Sequence, residues 1–275
     1  MSQSTQNNHL SESRPLTSST VETLLNHRSV RQFTDEAVAP EVLETLFNVG
    51  RMVSTSNYSQ AVSVVRVTDP ELRKKFRQIS VDMDEESYNK AVAEGKKLGH
   101  PYVETAPELL VFCIDTHRHH QLVPTAQTDW MEVTLIGAVD VALFAQNMMA
   151  AAESLGLGGV YLGSMRNDVK RAGELINAPE YVFPLFGMCL GYPTEEAKQI
   201  TQKPRLPLGA LISENSFEPA TQQQLDDYNA EVTAYYESRG DHKVADWTAQ
   251  VEKTYGTPLR PNVMDVLNVQ GFGKR

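Results

Sequence analysis

The sequence predicts a layered fold that mixes helices and strands, of α/β or α+β class. Two observations carry that expectation. β-Branched and apolar runs at 61–68, 107–115, 158–163 and 181–191 read as strands, and segments of helical periodicity lie between them. The alternation is irregular, and neither an internal repeat nor a Gly/Ser linker divides the chain.

In chain order, residues 20–32 read as a short amphipathic helix and a turn. Pro40 stands at a first-turn position before a helical period of Val42, Leu43, Leu46, Phe47 and Val49. The polar loop Ser54-Thr55-Ser56-Asn57-Tyr58-Ser59-Gln60 leads into the first strand, which Asp69-Pro70 ends. Residues 71–97 are charged and helix-prone. The strand at 107–115 has the composition of one buried on both faces. Residues 133–155 form the longest apolar run, but Asp140, Gln146, Asn147 and Glu153 are too many polar groups for lipid. The run reads as a long, mostly buried helix whose small residues let another helix approach, with a second subunit as a plausible cover. Helix is expected at 168–176, 220–240 and 244–253, with a tail to Arg275.

Composition excludes some classes. The hydrophobic content of 41% is that of a globular protein, and the net charge of −10 argues against a nucleic-acid binder. Cys113 and Cys189 both sit in apolar runs, which suits buried, reduced thiols and a cytoplasmic home. No secretory segment opens the chain, and residues 1–15 read as a flexible tail. The glycines at 156–163 fail the dinucleotide fingerprint, since Tyr161 stands where the third glycine belongs. No phosphate-binding GxxxxGK[ST] loop or G-x-S-x-G elbow occurs. His117-Arg118-His119-His120 lacks accompanying metal ligands and reads as a surface loop, and the acidic run 82–86 reads as a solvated helix face.

The pentapeptide His27-Arg28-Ser29-Val30-Arg31 runs against the acidic background. Its cations and hydroxyl suit a phosphate or a polarised ring. Alone, it is equally compatible with a solvated helix C-terminus.

Four segments in series change that balance: His27-Arg28-Ser29-Val30-Arg31-x-Phe33, the run 156–167 (GLGGVYLGSMRN), the run 184–191 (PLFGMCLG), and Lys203-Pro204-Arg205-Leu206-Pro207. In this order and spacing they closely resemble the FMN-dependent nitroreductase family. The match is best to its branch of oxygen-insensitive NADPH nitroreductases and NADPH-flavin oxidoreductases. The resemblance implies an α+β fold with a central, mostly antiparallel sheet flanked by helices in an intertwined homodimer. Residues 16–275 would be one domain, with about 205–275 a C-terminal extension wrapping the partner subunit. FMN would bind at the subunit interface, NADPH would donate electrons (NADH being possible), and metal would play no part.

The resemblance also implies residue roles. His27, Lys203 and Arg205 match phosphate and ribityl contacts, each charge-assisted bond worth roughly 1.5–3 kcal/mol. Arg28 and Ser29 share that stretch, and Arg31 matches the cation near flavin N1 and O2. Gly163 and Ser164 match the loop whose backbone runs beside flavin N5, and Tyr161 and Leu162 before them are implied cofactor contacts. Thr55, Ser56 and Asn57 match a hydroxyl-rich loop that reaches FMN from the partner, although the family often has serines there. Tyr58 falls on the substrate side. Glu132 and Arg166 match family positions and are equally compatible with an interface salt bridge. Arg239 matches a grip on the NADPH phosphate and Arg260 a mobile-loop arginine near substrate; both are equally compatible with surface arginines. The chain departs from the pattern at Leu98-Gly99-His100, where the branch has a Gly-Gly-Gln-like turn touching flavin, and the segment before it is longer than expected. The implied chemistry is ping-pong reduction of nitroaromatics, quinones or flavins. The rival readings are a flavin reductase that feeds a partner and a non-enzymatic flavin-binding protein.

Overall fold

The computed structural model describes residues 16–240 and 246–275. The expected tail, 1–15, and the start of the helix expected at 244–253 lie outside the described residues. The chain divides into two compact units. Among the described residues, the larger comprises 23–200 and 260–275, the smaller 16–22, 201–240 and 246–259.

Helix α1 (Ser19–Leu25) is followed by α2 (Pro40–Gly50), with Pro40 in its first turn. Strand β1 (Val62–Arg66) leads to α3 (Pro70–Ser80), capped by the Asp69 side chain accepting from the Glu71 N–H. The helix-prone stretch 71–97 breaks in two, because Asp84 accepts from the Ser87 N–H and starts α4 (Glu85–Ala93). Next come α5 (Tyr102–Thr105), β2 (Glu108–Asp115), α6 (His117–Leu122) and the long α7 (Met131–Ser154). Strand β3 (Gly158–Leu162) runs into a 3-10 turn at Gly163–Asp168, then α8 (Val169–Leu175), β4 (Val182–Gly191) and α9 (Glu195–Lys198). The smaller unit holds α10 (Leu208–Leu211), α11 (Gln222–Ser238) with a Thr221/Gln224 capping box, and α12 (Trp247–Tyr255). Helix α13 (Val263–Val269) returns to the larger unit.

The strands form one sheet in the order β1-β2-β4-β3, with every neighbouring pair antiparallel. Strand β2 is buried at every position. Its Leu110, Phe112 and Ile114 face Leu46 of α2 and Val141, Ala145 and Met148 of α7. Its Leu109, Val111 and Cys113 face Phe76 of α3, Val103 of α5 and Ala172 of α8. Two covered faces explain why this strand reads as an unbroken apolar run.

Two expectations need correction. Helix α7 is not mostly buried: Met131, Leu135, Val139 and Leu143, spaced by four, are exposed along one face. The end of the chain is not a tail. Helix α13 and a fully buried Phe272 join the core, the Met131 N–H donates to the Arg275 carbonyl at 2.7 Å, and Arg275 pairs with Asp129. The dense breakers Gly256, Pro258, Pro261, Gly271 and Gly273 hide this short helix in the sequence.

Phe272→Ala should destabilise the protein by about 3–5 kcal/mol, the usual cost of emptying a large aromatic site. Equilibrium denaturant unfolding measures it; a loss below about 1 kcal/mol would mean the C-terminus is not part of the core.

Candidate functional site

Strand β3 lies at an open edge of the sheet, and the cationic segment is fastened there. Ser29 forms a parallel bridge with Gly159, and the Val30 N–H donates to the Gly159 carbonyl at 2.9 Å. Val30 is buried, and a Cβ at Gly158 would run into its Cγ2 at 2.5 Å, so the close approach needs glycine. On one side of this anchor, His27 Nδ1 contacts Glu153 Oε1 of α7 at 2.6 Å. Arg28 donates to the Ile200 carbonyl. On the other side, Arg31 lies close enough to His100 and Tyr102 to act on both.

His100 sits in the left-handed region (φ 52°) with Nδ1 2.7 Å from the Tyr102 hydroxyl. Its turn is held by Arg77, which donates to the Leu98 and Gly99 carbonyls and pairs with Glu104 at 3.0 Å. Burial, and then the Arg31 and Arg77 charges, pull the His100 pKa below its ordinary value. The expected departure from the family pattern thus becomes a neutral, half-buried imidazole beside a cation.

Tyr161 on β3 packs edge-on against Phe186 and donates to Gln146 Oε1 at 3.2 Å; burial, and then Glu153, push its pKa up. Leu162 is buried, and Gly163 opens the 3-10 turn. A Cβ at Gly163 would stand 3.3 Å from Arg166 Nη2, so the glycine leaves room for that guanidinium. Arg166 donates to the Leu185 carbonyl, and burial followed by the Arg260 charge lowers its pKa. Arg260 (φ 49°) donates to Asn167 Oδ1 at 2.9 Å, which ties it to the same turn. Ser164 Oγ is buried with no hydrogen-bond partner. An orphaned hydroxyl in a setting this rich in cations fits an anionic, hydrogen-bonding ligand such as FMN.

The loop of Thr55, Ser56, Asn57 and Tyr58 is elsewhere. It leads into β1, at the opposite edge of the sheet from β3, and the chain does not bring it to the His27–Arg31 segment. Asn57 (φ 51°), Tyr58 (φ 57°) and Gln60 (φ 54°) are all left-handed, and Tyr58 is 81% exposed. Beside the loop is an open cavity of about 390 Å³ lined by Arg51, Thr55, Ser59, Arg118, His119 and Phe144. The His117–His120 tract is a helix rather than a loop. Arg118 donates to the Val62 carbonyl, and His119 Nε2 lies 2.8 Å from the Ser59 carbonyl. Glu132 is exposed in the first turn of α7.

Lys203, Arg205 and Arg239 belong to the smaller unit. Lys203 Nζ lies over the Tyr236 ring at 5.4 Å, Arg205 donates to the Lys203 carbonyl at 2.8 Å, and Arg239 donates to the Tyr235 hydroxyl at 2.6 Å. Sequence reasoning missed Glu153, Tyr102 and Asp140 as site-shaping groups. Asp140 carried a signal, a lone carboxylate in an apolar helix, that was read only as evidence against a membrane span.

Fold and site together define an α+β protein whose basic segment is laid along a sheet edge beside a glycine-led turn. The nitroreductase family model matches residues 24–192, and the model of that family's C-terminal domain matches residues 203–275. The chain belongs to the nitroreductase family. It is 40% identical to an NADPH-flavin oxidoreductase from Vibrio harveyi, over 93% of this chain and 99% of that protein. It is 37% identical to an oxygen-insensitive NADPH nitroreductase from Salmonella typhimurium, over 94% and 100%. The crystal structure of nitroreductase A from Vibrio parahaemolyticus superposes with a TM-score of 0.83 at 37% identity, covering 94% of this chain and all of that one.

His100 should titrate below the ordinary histidine range of about 6.5, read from its ring protons by NMR. A folded-state pKa below the unfolded one means the unfolded chain binds the extra proton first. Stability should therefore hold above pH about 6.5 and fall as pH drops from there through the folded pKa. His100→Gln should remove that part of the acid loss; an unchanged pH–stability curve would contradict the placement.

Proposed function

We propose that this protein is an FMN-dependent oxidoreductase that uses NADPH to reduce nitroaromatics, quinones or free flavins by a ping-pong, two-electron cycle. The observations that carry this reading are the cationic segment bridged to β3 and the orphaned Ser164 hydroxyl in the turn that follows that strand, in a chain similar to two NADPH-dependent enzymes. FMN, when bound, supplies the hydride chemistry at its N5.

The side chains bind, orient and bias. His27, oriented by Glu153, serves the phosphate with Arg28, Ser29, Lys203 and Arg205. Arg31 sets fixed positive charge where negative charge develops at N1 and O2. His100, kept neutral by burial and by its cationic neighbours, offers a hydrogen bond without adding charge. The Gly163–Ser164 backbone would hold the flavin near N5, with Tyr161 and Leu162 as further cofactor contacts. Tyr58 and Arg260 face the electron acceptor, and Arg239 grips the NADPH phosphate.

Two features support a homodimer. The exposed Met131, Leu135, Val139 and Leu143 face of α7 needs a cover, each such side chain being worth roughly 1.5–3 kcal/mol when fully buried. The 55–58 loop also lies at the wrong edge to serve the cofactor of its own chain. A second copy meets both needs, and the C-terminal extension, about 205–275, is the segment proposed to wrap it. The free, buried Cys113 and Cys189, both pushed up to about 12 by burial, suit a reducing compartment, the cytoplasm.

Anaerobic addition of NADPH should bleach the flavin absorbance of the purified protein, and an unbleached yellow protein would sink the enzyme reading. Arg31→Ala should slow hydride transfer at least tenfold while retaining FMN, and Arg205→Ala should weaken FMN retention more than hydride transfer. Stopped-flow reduction and FMN titration separate these effects; the reverse pattern would overturn the division of roles. Arg239→Ala should abolish the preference for NADPH over NADH in steady-state assays.

A further inference from the structure

Asp140 is fully buried in the middle of α7, in a helix otherwise apolar around it. A carboxylate withdrawn from water is costly unless its oxygens are bonded. Its bonds all go to one segment. Oδ1 accepts from the Ser56 N–H at 3.1 Å, and Oδ2 accepts from the Ser59 hydroxyl at 2.8 Å and the Ala61 N–H at 3.3 Å. Between those anchor points, Asn57, Tyr58 and Gln60 hold left-handed backbone that non-glycine residues adopt only when the surroundings impose it. A residue needed only for packing would be apolar here. Val139, next to Asp140, belongs to the exposed apolar face, so one helix carries both the face that needs a cover and the clamp on the loop.

We propose that Asp140 is a positioning residue for the flavin site of the neighbouring subunit: it fixes the strained 55–61 loop so that Thr55, Ser56 and Asn57 reach FMN across the interface. This rests on the FMN and homodimer reading above. The clamp turns docking of α7 into placement of cofactor contacts, because the loop cannot shift relative to the helix while its bonds to Asp140 hold.

Asp140→Asn keeps the size of the side chain but turns one acceptor oxygen into a donor facing N–H and hydroxyl groups. The homodimeric variant should bind FMN about tenfold more weakly, the effect of losing roughly one good hydrogen bond's worth of placement. The decisive form is a mixed dimer, prepared with two affinity tags, of one Asp140→Asn subunit and one His27→Ala subunit. Acting across the interface, the two lesions fall in the same site, and FMN titration should find half of the sites at the wild-type Kd. Weakening of both sites, with none at the wild-type Kd, or a wild-type Kd for the Asp140→Asn homodimer, overturns the proposal. If wild-type protein binds no FMN, or His27→Ala leaves the Kd unchanged, the flavin reading itself fails, which is a distinct result. Should Asp140→Asn not fold, Ser59→Ala removes one of the two bonds to Oδ2 and leaves the Ala61 N–H bond in place; it should weaken binding about threefold in the same mixed-dimer pattern, and an unchanged Kd again overturns the proposal.

Discussion

A single strand edge holds the candidate site together. The order β1-β2-β4-β3 leaves β3 with one side unpaired, and residues 29–30 take that side through the Val30 N–H bond to Gly159. The bond itself contributes about 1 kcal/mol, and burying Val30 against Gly158 adds roughly 1.5–3 kcal/mol. That small anchorage decides which way the cations project. His27 turns toward Glu153 of α7, while Arg31 turns toward His100 and Tyr102. Glycines at 158 and 159 are the condition for it, since a side chain at 159 would meet Leu190 and the Cys189 carbonyl.

The sheet was legible because its strands carry their own signature. β2 reads as an unbroken apolar run since helices cover both its faces, and β1 begins and ends on turn chemistry. Helix α13 was hidden by glycines and prolines on either side, and its stability comes from Leu267 and Phe272 docking into the core rather than from its own propensity. Within the site, residue types were readable and pairings were not. His27 meets Glu153 across 126 positions of sequence, and Arg77 secures the His100 turn from α3. Such contacts depend on how the layers close. The division into two units was not read either, because the prolines at 204, 207, 258 and 261 that flank its boundaries also fit ordinary loops.

Helix α7 is the element that serves two masters. Its inner face supplies Val141, Ala145 and Met148 to the core, and its outer face presents apolar side chains to solvent. Between these faces sits Asp140, with its bonds to the 55–61 loop. The basic segment and that loop occupy opposite edges of the same sheet, so the two halves of the proposed binding site lie apart within one chain. Two copies related by a twofold axis through the α7 faces would close both halves at once, an isologous solution that uses one surface twice.

That complementarity is the central claim, and native mass spectrometry of the purified full chain tests it most directly. The account predicts a species of two chains carrying two FMN molecules, with monomers appearing only as FMN is lost. A stable monomer that keeps its FMN would contradict it.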